Sequence, residues 1–161
     1  MTGFHELYES YARDVYRFAL YLSSDPALAD DITSETFIRV WNSPGEVRFA
    51  TVKAYLLAIA RNLYLMERRR SWRRESLDEA LADAGRDALR EVEAKEELER
   101  VLRALQDVAE ADRAAVLLRA EGLSYEEIAF TLGLPLATVK VKVHRTRLRL
   151  TQVRNQGVSA S

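Results

Sequence analysis

From residue 4 to residue 22 apolar side chains recur at intervals of three and four: Phe4, Leu7, Tyr8, Tyr11, Val15, Phe18, Leu22. That spacing predicts a helix with one apolar face. Asp25-Pro26 breaks it, with Asp25 suited to cap a second helix and Pro26 to its first position. The second helix carries Ala29, Ile32, Thr36, Phe37 and Val40 on one face. Pro44-Gly45 marks a loop, "NSPGEVRFAT". A third helix follows, with Val52, Tyr55, Leu56, Ile59, Leu63 and, at its end, Met66 facing inward. Three helices of this length can share one core.

The pattern thins from Glu75 to Glu93, "ESLDEALADAGRDALREVE", which is acidic, alanine-rich and interrupted by Gly85. This stretch reads as a linker. Periodicity returns with Leu98, Val101, Leu102 and Leu105, then with Ala114, Val116, Leu117 and Leu118 in a helix that Gly122 stops. Ser124 with Glu127 three residues on is a capping box. The helix it opens is short, because Gly133 ends it, and Ala129 four residues earlier lets a second helix approach closely. Pro135 and Thr138 open that second helix. The layout is a helix-turn-helix.

One stretch resists an immediate reading. In "GLPLATVKVKVHRTRLRL", residues 133–150, basic and apolar residues alternate, as in a strand with one wet face. The alternation breaks at His144-Arg145 and resumes on the opposite phase, which would turn a strand's apolar face over. On a helix, Leu136, Val139, Val143, Thr146, Leu150 and Val153 fall within an arc of about 100°, the width of a core-facing stripe. Lys142, Arg145 and Arg149 then gather on one flank, and Lys140 and Arg147 on the other. Val141, His144 and Leu148 point away from the core. Basic flanks around an outward ridge suit a helix in the DNA major groove, cations meeting phosphates and the ridge meeting base edges. A solvated surface helix is the plainer alternative.

Composition adds little until it is divided. Net charge is −1 over 161 residues. Residues 1–74 carry 11 basic and 9 acidic side chains, residues 75–112 carry 5 and 13, and residues 113–161 carry 8 and 3. Basic ends around an acidic middle point to polyanion contact at the ends. There is no cysteine, hence no disulfide framework or thiolate metal site. No pair of histidines has metal spacing and no glycine-rich phosphate loop occurs. His5 reads as a surface or partly packed residue. Apolar runs reach only about six residues, against the roughly 20 of a membrane helix, and the first ten residues do not read as a signal peptide. A cytoplasmic, non-enzymatic protein without metal or cofactor is expected.

"GLSYEEIAFTLGLPLATVKVKVHRTRLRL" resembles the −35-reading helix-turn-helix of bacterial sigma factors, in particular the extracytoplasmic-function (group 4) class. "LYESYARDVYRFALYL" followed by "DPALADDITSETFIRVW" resembles that class's first helices, and "VKAYLLAIARNLYLMERRR" its −10-reading helix. The resemblance covers residues 4–153. It implies an all-α fold of two small helical domains: a region 2 bundle over 1–74, an acidic linker over 75–93, a region 4 helix-turn-helix over 94–155, and a disordered tail over 156–161. The implied role is to bind core RNA polymerase, direct it to promoters and help melt DNA, under the control of an anti-sigma partner that could hold the protein near the membrane.

The resemblance also assigns residues. Asp30, Asp31, Glu35, Arg39 and Trp41 would dock on the polymerase clamp helices, and region 4 would meet the polymerase flap. Arg48, Phe49, Arg61, Asn62, Tyr64, Met66, Arg68 and Arg69 would meet the −10 element as single strand, with the arginines at 68–70 and 73–74 tracking phosphates. Asn62 offers both a donor and an acceptor to a base edge. By composition alone, Tyr64 and Phe49 read as core rather than as stacking residues. Thr138, Lys140, Val141, Lys142, His144, Arg145 and Arg149 would meet the −35 element, Arg145 gripping a guanine in bidentate fashion. The sequence departs from the family pattern at Met66-Glu67, at Val141, where serine is common, and at "LQDVAEADRAAVLL", which lacks a proline pair. Two other classes fit a helix-turn-helix: a dimeric regulator of duplex DNA, and a polymerase adaptor that reads no DNA. Neither needs the basic third helix.

Overall fold

In a computed structural model, residues 2–43, 51–75 and 93–159 are described, and their regular structure is helical throughout. The chain divides into two compact units, Met1–Ala88 and Leu89–Ser161. Arg48 and Phe49, and nearly all of the stretch expected to be an acidic linker, lie outside the described residues.

The first unit holds α1 (Thr2–Ser23), α2 (Pro26–Asn42) and α3 (Val52–Glu75), each packed on the other two. The α1–α2 turn is built as the sequence dictates. Ser24 takes a left-handed φ of 60°, its N–H donating to the Leu20 carbonyl at 2.7 Å. Asp25 is the N-cap of α2, its carboxylate accepting from the Leu28 N–H at 3.2 Å, and Pro26 follows. Val15, Phe18, Ala19 and Leu22 meet Ala29, Ile32 and Phe37 in the core. Thr33 and Thr36, buried on α2, donate their hydroxyls to the carbonyls four residues back at 2.7 Å each, so neither is left unsatisfied.

Helix α3 departs from the expected stripe. Ala54, Leu56, Leu57, Ala58, Ala60, Leu63 and Tyr64 are all buried, whereas Val52 and Met66 are exposed. A helix lying against two others buries more than one narrow face, so a single-face reading of its apolar positions misplaces both ends. Past Leu65 the helix keeps its hydrogen-bonded length but presents a run of exposed arginines.

The second unit holds α4 (Glu93–Gln106), α5 (Glu110–Ala120), α6 (Tyr125–Leu132) and α7 (Leu136–Ser159). Leu102, Leu105, Val108, Ala114, Leu118, Leu123, Ile128, Val139 and Val143 form its core. Val101 of the expected α4 stripe and Leu136 of the α7 stripe are exposed. Arg113 is buried in this core and donates from Nη1 to the carbonyls of Leu105 and Val108, 3.1 Å each. It thereby ties the end of α4 to the start of α5.

The capping box of α6 is complete. The Glu127 N–H donates to Ser124 Oγ at 3.1 Å, and the Ser124 N–H donates to Glu127 Oε1 at 3.0 Å. Gly133 closes α6 at φ 65°, a left-handed value that suits glycine. Two residues later α7 begins. Its helix runs from Leu136 as far as Ser159, so residues 156–159, expected to belong to a disordered tail, continue it instead. No proline interrupts this stretch, and Gly157 only weakens a helix that is already propagating.

Candidate nucleic-acid interface

Helix α7 is held by one side and offers the other. Val139, Val143 and Thr146 are buried, while Lys140, Val141, His144, Arg145, Arg147, Leu148 and Arg149 are exposed. Val141 is 59% exposed, high for an apolar residue in the middle of a helix. Thr138 is half-buried in the first turn. Both α5 and α6 pack against α7, so its buried stripe is pinned from two directions and its outward ridge is fixed with it.

Three of the α7 cations have partners on the scaffold. Lys142 Nζ donates to Asp112 Oδ1 at 2.7 Å, and Arg145 Nη2 donates to Asp112 Oδ2 at 3.0 Å. The Asp112 side chain is only 14% exposed. Burial by itself would raise its pKa, but hydrogen bonds and charge from Lys142 and then Arg145 outweigh burial and hold the carboxyl below its ordinary value. Lys140 Nζ lies 5.9 Å from the centre of the Tyr125 ring, and Arg119 lies 4.7 Å from the same ring while donating to the Leu123 carbonyl at 2.8 Å. Tyr125 thus gathers two cations at the start of α6. Sequence reading missed Asp112 and Tyr125, because the partners of each lie on other helices.

On α3 the expected residues separate. Asn62, Met66, Arg68 and Arg69 are exposed, and Arg61 is half-buried. Tyr64 is 5% exposed and belongs to the core, so its ring offers no free face for a base. Asn62, Met66, Arg69 and Arg73 share one side, since steps of four, three and four residues nearly complete whole turns. Trp72, 77% exposed among these arginines, is a residue that sequence reading passed over. Glu67 approaches Arg70 at 3.8 Å.

Helix α2 presents a third surface. Asp30, Asp31, Glu35, Arg39 and Trp41 are all exposed, and Arg39 Nε meets Glu35 Oε1 at 3.4 Å. Trp41 packs edge-on against Phe4 at 4.7 Å between centroids, and Phe37 packs edge-on against both Phe4, at 6.4 Å, and Tyr8, at 5.0 Å. Asp30 reaches α1 electrostatically: burial and then the Asp30 charge raise the pKa of Tyr16. Exposed acids and the exposed Trp41 ring therefore lie along α2, with Tyr8 exposed beside them on α1. Among the described residues no cluster of His, Asp and Glu could hold a metal ion, and no helix is long and apolar enough to cross a membrane.

Comparison with known proteins places the whole chain. Residues 7–74 match the family model Sigma-70 region 2, and residues 98–150 match Sigma-70, region 4. The chain is 38% identical over 156 residues to the ECF RNA polymerase sigma factor SigE of Mycolicibacterium smegmatis, covering 93% of this chain and 61% of that protein's length. It is 30% identical to the ECF RNA polymerase sigma factor SigM of Bacillus subtilis, covering 96% of each. Its fold is like that of the sigma factor RpoE solved with the anti-sigma factor NepR from Bartonella quintana, with a TM-score of 0.77, 24% identity, and coverage of 96% of this chain and 98% of that one.

Proposed function

The chain belongs to the extracytoplasmic-function sigma factors of the sigma-70 family, and we propose that it binds core RNA polymerase, carries it to promoters through −35 and −10 elements, and helps open the DNA. The observation that carries this reading is α7, whose buried stripe rests on the scaffold and whose exposed ridge and basic flanks face outward. Inserted in a major groove, Lys140, Lys142 and Arg149 meet phosphates, Thr138 adds a hydroxyl near the helix start, and Val141, His144 and Arg145 meet base edges. Arg145 suits a guanine and Val141 a thymine methyl.

At the −10 element the reading rests on α3. Asn62 and Met66 face the bases, while Arg61, Arg68 and Arg69 follow the backbone of the opened strand. Arg48 and Phe49, outside the described residues, are assigned to the same contact by the resemblance alone. Docking on polymerase is assigned to α2, with Asp30, Asp31, Glu35, Arg39 and Trp41 meeting the clamp helices, and region 4 meeting the flap. Exposed acids give orientation, and the rings beside Trp41 give apolar area. A protein of this class acts in the cytoplasm without catalysis, metal or cofactor of its own. An anti-sigma partner that covers the DNA-facing surfaces keeps it inactive until a signal arrives.

The test is reconstitution. With purified core polymerase and a supercoiled promoter template, initiation occurs only when this protein is added. A conventional helix-turn-helix regulator cannot replace the sigma subunit, and an adaptor produces no new start site, so either result would overturn the reading.

A further inference from the structure

Lys142 and Arg145 stand one turn apart on α7 and converge on one carboxylate of another helix. Asp112 occupies the third position of α5, where the N–H groups of the first turn favour an acid. Its side chain is short and nearly enclosed, so its two oxygens are fixed in space, one for each cation. The Arg145 side chain nevertheless stays 62% exposed. Only Nη2 is engaged at Asp112, and a guanidinium carries five N–H donors.

Resting on the −35 reading of α7, we propose that Asp112 is a positioning residue for promoter recognition. It holds Arg145 in the rotamer that meets a base, and it screens Lys142 and Arg145 from indiscriminate attraction to phosphate. The flank then acts as one positive charge rather than two. Binding to any duplex falls with the missing charge, because non-specific affinity is set by the phosphates neutralised. Binding to the right sequence loses less, because a pre-set guanidinium need not be ordered on contact. Specificity is the difference between these two affinities, and Asp112 widens it.

A merely structural role predicts something else: loss of Asp112 would loosen α7 and weaken all DNA binding together. The two are separated by titrating the full-length protein against two labelled duplexes, one of random sequence and one enriched from a pool by the wild-type protein. Asp112→Asn is expected to raise affinity for the random duplex about threefold to tenfold at low salt and to steepen the salt dependence by about one unit of slope. The preference for the enriched duplex falls correspondingly. Asp112→Glu, which keeps the charge, restores the wild-type slope. In a Lys142→Gln, Arg145→Gln background, Asp112→Asn changes neither slope nor preference.

Unchanged slope and preference in Asp112→Asn overturn the proposal while the −35 reading stands. So does an equal loss on both duplexes with a lowered melting temperature, or an Asp112→Glu protein that behaves like the asparagine variant. A wild-type protein that enriches no sequence at all overturns the −35 reading and this proposal with it.

Discussion

Val141 is an apolar side chain on the outward surface of α7, the helix proposed to read DNA. It contributes nothing to the core of its own unit, so its identity is free to follow the ligand. Val141→Ser exchanges methyl contacts for a hydroxyl that can donate and accept. It should therefore change which −35 variants bind best while leaving the melting temperature nearly unchanged; identical preference in a binding array would sink that assignment. Asp112 makes a prediction of another kind. Its carboxyl is held below its unfolded value, so the stabilisation it gives is present above the ordinary carboxylate pKa and is lost as pH falls through the folded one. Acid titration of stability should show this loss in the wild type and a shallower fall in Asp112→Asn, read by thermal melts across the acid range. Neither Asp112 nor buried Arg113 could be singled out from sequence. Asp112 finds its partners 30 and 33 residues away, and Arg113 is buried only because two carbonyls at a helix junction accept its guanidinium. The outward ridge of α7, by contrast, follows from periodicity alone.

At the level of elements, the turn-building residues were legible because their chemistry is local. Asp25-Pro26, the Ser124–Glu127 box and Gly133 stand where short-range rules put them. Ser124→Ala removes the acceptor for the Glu127 N–H and should cost about 1 kcal/mol in the stability of the second unit. Gly133→Ala meets no neighbouring atom but must hold a left-handed φ, at a cost of about 1 kcal/mol. Chemical denaturation followed by circular dichroism measures both. Longer-range packing was read less well. Helix α3 is buried on several sides between α1 and α2, so its apolar positions do not trace one stripe: Met66, expected to face inward, is exposed, while Tyr64 is core, as its composition favours over the stacking role that the resemblance gave it. On α2, the exposed ring of Trp41 is explained by its neighbour Phe4 on α1, a contact no single-helix reading supplies.

Across the molecule, the opposed charges of the three segments matter more than the net of −1. DNA contacts drawn from both basic ends should make promoter binding by the polymerase complex steeply salt-dependent, whereas the α2 surface, with its acids and rings, should respond less. Substituting Arg68 and Arg69 together with glutamine should reduce that salt slope by about two, with polymerase binding retained. The two units were separable in sequence because an acidic, weakly periodic stretch lies between two periodic ones.

Tyr125 offers a practical consequence of where its ring sits. Both tryptophans, Trp41 and Trp72, belong to the first unit, and Tyr125 is the single tyrosine of the second. Indole emission of the protein therefore reports the first unit alone. The Tyr125 ring, beside Arg119 and Lys140, gives the other half its own aromatic resonance, one expected to move on the proposed contact of Lys140 with a phosphate. The two halves carry separate built-in spectroscopic labels, so the order in which they engage a promoter can be followed without attaching a dye.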